Sequence, residues 1–330
     1  MVRSLRSYEA VAGKDVINEI EAKAKKLSGK HVLCISSTCQ GGGVAEILNS
    51  IVFLFNEAGI CFGWRILHGT PDFFGITKKF HNGLQGEKIN LSERKKKIYC
   101  DTNKMFSTYT HIRHDLVIVH DPQPLSLIDC YKKKQPWICR CHVDLSDPDL
   151  GVWNYLKKFL GKYDEIVVSN EKYINRDLTV PQTIIYPAID PLSFKNKPLS
   201  KKTIDKFLGK YGIDTDRPVI SQVSRFDKWK APQDVVDIFE LVREKVDCQL
   251  VLLGSLASDD PEGQKIFEKV GNKVKKSKYK KDIKLILVEN NVLVNSLQRA
   301  SSVIIQKSMR EGFGLVISES LFKGTPVVAS

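Results

Sequence analysis

No run of 18 apolar residues occurs in the 330-residue chain, so the sequence encodes no transmembrane helix. The first 26 residues are charged throughout and lack an apolar core, which argues against a secretory signal. Cysteine is sparse, with eight in all, no Cys-x-x-Cys pair and no zinc-ligand spacing. A disulfide scaffold is excluded, and the expected setting is a reducing cytoplasm. Cys139-Arg140-Cys141-His142 is the one metal-like run, yet alternate strand residues point to opposite faces, so its ligands do not all converge. Low-complexity segments and short internal repeats are also missing.

The composition that remains is globular. A hydrophobic share of 42% and a charged share of 27% supply a sizeable core, and the length suits two domains. Lys and Arg outnumber Asp and Glu by 51 to 38, a net charge of +13. That surplus sits in basic runs at 23–26, 94–97, 132–134 and 273–281, which carry none of the interleaved aromatics that stack bases. They read as solvated helix faces, so neither nucleic acid nor membrane is the expected partner.

Short β-branched runs alternate with longer amphipathic stretches. Strands are expected at 31–35, 116–120, 137–143, 165–169 and 183–186, with helices over 44–57, 71–85 and 149–163. Pro187, Pro191 and Pro198 interrupt the rhythm like an interdomain crossing, with Tyr186-Pro187 as the hinge. The pattern then restarts, with strands at 218–223, 249–253, 284–288, 303–306 and 326–329 and helices over 233–246, 261–275, 292–300 and 313–322. The expected fold is α/β: two Rossmann-like, doubly wound parallel-sheet domains, 1–190 and 191–330, facing a cleft.

Three segments carry chemistry. Ser36 to Glu46 follows the first strand, and its consecutive Gly41, Gly42 and Gly43 let backbone amides approach an anion at a helix start. The turn is neither Gly-x-Gly-x-x-Gly nor a P-loop, which disfavours a nicotinamide or flavin cofactor and a P-loop nucleotide site. Arg225 and Lys230 lie in one strand-to-helix loop, a forked guanidinium and a point charge suited to a leaving diphosphate. In Arg310 to Glu319, Gly312 and Gly314 free the first amides of a helix for an anion, with Phe313 and Leu315 between and beyond them. There Glu311 is placed to bind sugar hydroxyls and Glu319, about two turns into the helix, a ribose diol. Asp259-Asp260 before Pro261 reads as a helix N-cap rather than a metal site.

The Gly-Gly-Gly turn, Arg-x4-Lys and Glu-x7-Glu together resemble retaining glycosyltransferases of family 4, which have the GT-B architecture. Further blocks resemble the trehalose glycosyltransferring synthases, a branch that includes trehalose phosphorylases. They are Gly41 to Glu46, Trp64-Arg65, Phe80 to Gly86, His120 to Pro124, Arg140 to Asp144 and Ala257 to Gly263. The resemblance runs from about Tyr8 to Ser330. It implies reversible transfer of glucose from a nucleoside diphosphate glucose to glucose, giving α,α-trehalose with retention. Catalytic roles then fall to Arg225, Lys230, Glu311 and His142. Gly41, Gly42, Gly43, Gly312, Phe313, Gly314, Leu315 and Glu319 would hold the donor, and His120, Asp121, Gln123, Arg140 and Asp144 the acceptor side. No metal or cofactor is implied, and a homodimer is admitted.

Other readings stay open on the residues. His142 also fits a buried core histidine, and Asp144 a cap for a helix near 146–150. The alternatives in function are a trehalose phosphorylase, another family 4 glycosyltransferase, or an inactive truncated paralogue that only binds nucleotide sugar. The chain ends inside a strand where family members usually continue, so a truncated form with weak or no activity by itself is expected.

Overall fold

The structure, a computed structural model, describes residues 4–256 and 260–330. It separates into two compact units, Met1–Pro187 and Ala188–Ser330. Unit 1 runs α1 (Glu9–Ala12), α2 (Lys14–Lys25), β1 (His31–Ser36), α3 (Gly43–Glu57), β2 (Cys61–Ile66), α4 (Pro71–Leu84), α5 (Glu93–Tyr109), β3 (Leu116–His120), β4 (Trp137–Arg140), α6 (Leu150–Leu160), β5 (Glu165–Val168) and β6 (Gln182–Ile184). Unit 2 runs α7 (Lys201–Gly209), β7 (Val219–Val223), α8 (Pro232–Arg243), β8 (Gln249–Gly254), α9 (Gly263–Lys276), β9 (Ile283–Leu287), α10 (Asn291–Ala300), β10 (Val303–Gln306), α11 (Leu315–Phe322) and β11 (Val327–Ala329).

Side-chain alternation explains why each sheet is covered twice. Along β1, Leu33 and Ile35 join a core with Phe73, Phe80, Tyr99 and Trp153, contributed by α4, α5 and α6. Val32 and Cys34, on the other face, join Ala24, Leu48 and Phe62 beneath α2 and α3. Unit 2 repeats the device: Val251 and Leu253 of β8 pack with Leu208, Leu293 and Leu297, while Leu250 and Leu252 pack with Val235, Phe239 and Val270. A strand apolar on both faces requires helices on both.

All pairings are parallel, in the orders β2-β1-β3-β4-β5-β6 and β11-β10-β7-β8-β9. In each sheet the strand order reverses once, between β1 and β3 in unit 1 and between β7 and β10 in unit 2. Chains leaving neighbouring strands at a reversal diverge to opposite faces and open a crevice at the carboxyl ends. Both units are therefore Rossmann-like, as expected.

Several details depart from expectation. The strand expected over 137–143 stops at Arg140, because the His142 amide donates to the Asp121 carboxylate at 2.7 Å instead of extending the ladder. β2 was not expected: Gly63 and Arg65 break its apolar pattern, and as an edge strand it pairs only with β1. The basic run at 94–97 belongs to the longer α5, which buries Tyr99, Asn103 and Phe106. The helix expected from 261 starts at Gly263. Asp260 instead accepts the Glu262 amide at 3.1 Å, so it closes a local turn ahead of the helix. Asp259, with 257 and 258, lies outside the described residues.

α4 and α6 meet unusually closely. A Cβ on Gly83 would lie 2.7 Å from Val152 Cγ2, and the Gly83 carbonyl accepts the Asp149 amide at 2.7 Å. Gly83→Ala is therefore expected to lower stability by about 1–3 kcal/mol through overpacking, despite alanine's better helix propensity. An unchanged urea midpoint would show that the contact gives way freely.

Candidate functional site

The reversal in unit 2 gathers the charged groups. Asp227 accepts the Trp229 amide at 2.9 Å and so starts the short turn Lys228–Lys230. Ala231 then adopts φ +45°, a left-handed conformation that costs a non-glycine residue about 1 kcal/mol, and Pro232 opens α8. This folds Lys230 back over the end of β7, where Gln222 Nε2 holds its carbonyl at 2.8 Å. From β10, Glu311 meets it: Lys230 Nζ lies 2.5 Å from Glu311 Oε2. The same oxygen accepts from Gln306 Nε2 at 2.7 Å and Ser308 Oγ at 3.1 Å. Burial works against a charged Glu311, but Lys230, Gln306 and Ser308 outweigh it and hold the carboxyl below its usual range.

Arg225 follows β7 and reaches Asp260 Oδ2 at 3.4 Å. Its backbone is fixed by the neighbouring strand, since a Cβ on Gly254 would fall 2.1 Å from the Ser224 carbonyl. Gly314, at φ +86°, caps α11. The helix thus begins at Leu315, with Gly312 and Phe313 in the loop before it, and Glu319 lies just over one turn inside rather than two. Glu319 is engaged within its own unit. Its carboxylate is fully buried, paired with Lys195 Nζ at 2.7 Å and accepting from Gln298 Nε2 at 2.7 Å. A ribose diol reaches that carboxylate only if Lys195 moves aside.

In unit 1 the reversal places Gly41, at φ +71°, and Gly42, at φ +146°, directly before α3, which starts at Gly43. The turn is braced from within: Thr38 Oγ1 donates to the Gln40 carbonyl at 2.6 Å, and Trp64 Nε1 to Ser36 Oγ at 2.8 Å. Across the reversal, His120 ends β3, and its Nδ1 lies 3.0 Å from Nε2 of His142. The two rings stack with centroids 5.3 Å apart. Asp121 holds φ +63° while its carboxylate takes the His142 amide. Gln123 lies in a loop tied down by α5, where Asn103 Nδ2 donates to the Gln123 carbonyl at 3.1 Å and the Tyr99 hydroxyl to the Pro122 carbonyl at 2.7 Å.

Two more of these side chains are held by groups of unit 1. Arg140 is buried, and its guanidinium donates to the carbonyls of Val168 at 2.9 Å and Ile185 at 2.6 Å and to Ser169 Oγ at 3.2 Å. It ties β4 to the ends of β5 and β6. Asp144 accepts from the Ser146 amide and hydroxyl at 2.9 and 2.6 Å. The cap of α6 is Asp149, so the helix-cap reading of Asp144 fails.

Sequence reasoning missed Gln306 and Ser308, which hold Glu311, and Tyr99 and Asn103, which hold the Asp121–Gln123 loop. A polar residue ending an otherwise apolar strand, as Gln306 does, was the available signal. Among the described residues, no group of three or more His, Cys, Asp or Glu is arranged to hold a metal ion.

Burial keeps both histidines neutral. His120 is pushed down to about 3 by desolvation and then by Arg140, and His142 well below its usual value by desolvation, His120 and Arg140. The unfolded chain takes up these protons once the pH falls below about 6.5, while the folded chain does not. Stability should therefore decline as pH drops from about 6.5 toward 3, by up to about 3 kcal/mol per pH unit for two such groups. Denaturant titrations at pH 7.5, 6 and 5 check this, and equal stability at all three would contradict it.

Residues 34–175 match the family description "Trehalose synthase, N-terminal domain", and residues 203–330 match "Glycosyl transferases group 1". The trehalose synthase of Thermococcus litoralis is 44% identical over 333 residues, covering 99% of this chain and 80% of that protein. A trehalose phosphorylase of Grifola frondosa is 27% identical, covering all of this chain and 52% of that protein. Among solved structures, an α,α-trehalose-phosphate synthase (UDP-forming) of Burkholderia xenovorans in complex with glucose-6-phosphate superposes with a TM-score of 0.69 at 12% identity, over 91% of this chain and 84% of that one. The last likeness shows the GT-B fold. Identity at the level of the Thermococcus protein, sustained through both units, shows more: the chain belongs to the trehalose synthase family and is a glycosyl-transferring enzyme.

Proposed function

We propose that the chain moves glucose from a nucleoside diphosphate glucose to free glucose, reversibly, forming α,α-trehalose with retention at the donor carbon. The observation that carries this reading is the Lys230–Glu311 pair at the reversal of unit 2. An ammonium has three N–H donors, and Glu311 orients it while engaging one. Glu311 lies in the loop that leads into α11, whose first amides add partial positive charge. Such an ammonium fits a departing diphosphate, whose negative charge grows as the glycosidic bond breaks. Retention without an enzyme nucleophile leaves the protein two tasks, to stabilise that leaving group and to orient the acceptor hydroxyl.

In this reading Arg225, Lys230 and the amides at Gly312, Phe313, Gly314 and Leu315 serve the diphosphate. Gly41, Gly42 and Gly43 offer further amides, and His142 faces the donor sugar. Asp121, Gln123 and Asp144 line the acceptor side of unit 1, and His120, both ring nitrogens of which are engaged, stands behind His142. Glu319 is assigned to holding the 194–197 segment through Lys195, and Arg140 to bracing the sheet. The reducing-cytoplasm reading of the cysteines is retained.

Fixed cations and amides carry the charge here, so activity is expected to survive exhaustive chelation. Loss with a chelator and recovery with Mg²⁺ or Mn²⁺ would contradict this. The phosphorylase reading is separated by the co-substrate: trehalose breakdown should require a nucleoside diphosphate and be indifferent to phosphate or arsenate. Breakdown that needs phosphate would reassign the reaction.

A further inference from the structure

His142 is held at one end of a three-residue chain that crosses the reversal of unit 1. Its Nε2 lies 3.0 Å from His120 Nδ1, and His120 Nε2 lies 3.4 Å from the sulfur of Cys34 on β1. Cys34 and His120 are buried, and the thiol has no other partner among the described residues. Nδ1 of His142 likewise has none among the described residues, so it is the ring position left for a ligand.

Both rings are neutral, so one proton lies between them and its position follows from Cys34. Burial pushes the thiol pKa up, and the group keeps its proton. An imidazole nitrogen accepts hydrogen bonds well and sulfur poorly. The favourable arrangement has Cys34 S–H donating to His120 Nε2. His120 must then carry its proton on Nδ1 and donate it to His142 Nε2. His142 in turn carries its proton on Nδ1. The opposite order would use sulfur as the acceptor and leave the buried S–H without one.

We propose that Cys34 and His120 are positioning residues that fix His142 as the Nδ1–H tautomer, making it a hydrogen-bond donor to an oxygen of the bound sugar. This rests on the reading of His142 as the group facing the donor sugar. A tautomer set by the partner of the far ring nitrogen is a general property of functional histidines. The sulfur appears in the core of unit 1 with Val32 and Leu48, but packing alone does not need a thiol there.

The test uses the 330-residue chain with ¹⁵N-labelled histidine rings. In the free protein, His142 should show a protonated Nδ1 and a bare Nε2, and His120 a protonated Nδ1. Cys34→Ala should yield mixed tautomers and lower kcat about tenfold, the low end for loss of an orienting partner, with KM for glucose little changed. Cys34→Ser, which restores a donor, should recover the single tautomer and most of kcat. Thermal melts of both variants separate packing loss from this pattern. A proton on Nε2 of His142, or a Cys34→Ala variant with unchanged spectrum and kcat, would overturn the proposal. Lack of turnover of UDP-glucose or ADP-glucose by the parent chain bears on the functional reading alone, while the ring-nitrogen spectra still decide the tautomer.

Discussion

Lys230→Ala is expected to reduce kcat about a hundredfold or more, the usual consequence of losing one electrostatic donor to developing charge. The ammonium is already in place before any ligand arrives: Glu311 holds it at 2.5 Å, and Glu311 is itself held by Gln306 and Ser308. Preorganisation of this kind acts mainly when negative charge accumulates on the leaving diphosphate, so the loss should appear in kcat and leave KM for glucose nearly unchanged. Arg225→Ala should behave alike, because the Ser224 carbonyl beneath it is fixed against Gly254. Turnover within a few-fold of the parent for both variants would remove them from the mechanism.

The second large effect concerns stability. Glu319 is fully buried, with Lys195 on one oxygen and Gln298 on the other. Lys323 Nζ adds a second positive charge, reaching Gln298 Oε1 and Asn196 Oδ1 at 2.7 Å each. Burial opposes a charged Glu319, yet Lys195, Gln298 and Lys323 prevail and hold its carboxyl below the usual range. Glu319→Ala would remove the carboxylate that Lys195 pairs with, and loss of one partner from a buried pair costs about 3–5 kcal/mol. Native-state hydrogen exchange along α10 and α11 reads this unit by itself. Protection there should fall by that amount, and the double variant with Lys195→Met should recover part of it. A loss below about 1 kcal/mol would mean that water reaches the pair more than the burial implies.

The two sites were legible to different degrees. β1 announced itself because four of its residues, Val32 to Ile35, alternate between two cores, and Lys230 and Glu311, picked out by their motifs, meet in the structure. The pairing of Glu319 with Lys195 was not legible, because Lys195 comes from a proline-interrupted stretch that reads as linker, and no local pattern links positions 195 and 319. The contacts of Arg140 were hidden similarly, because the carbonyls that accept from it become neighbours only once β4, β5 and β6 pair. The edge strand β2 was hidden by Gly63 and Arg65, and of α5 only the solvated basic face at 94–97 was legible, not its full length to Tyr109. Local periodicity reveals elements with two buried faces. Partners brought together by sheet order have to be seen.

The most direct measurement follows the donor carbon. The 330-residue chain is incubated with UDP-glucose or ADP-glucose labelled with ¹³C at the anomeric position, together with unlabelled glucose, and the products are followed by NMR. The account predicts singly labelled α,α-trehalose, α at the labelled carbon, formed one for one with nucleoside diphosphate and abolished by Lys230→Ala. Release of labelled free glucose as the sole product, or inversion at the labelled carbon, would contradict it.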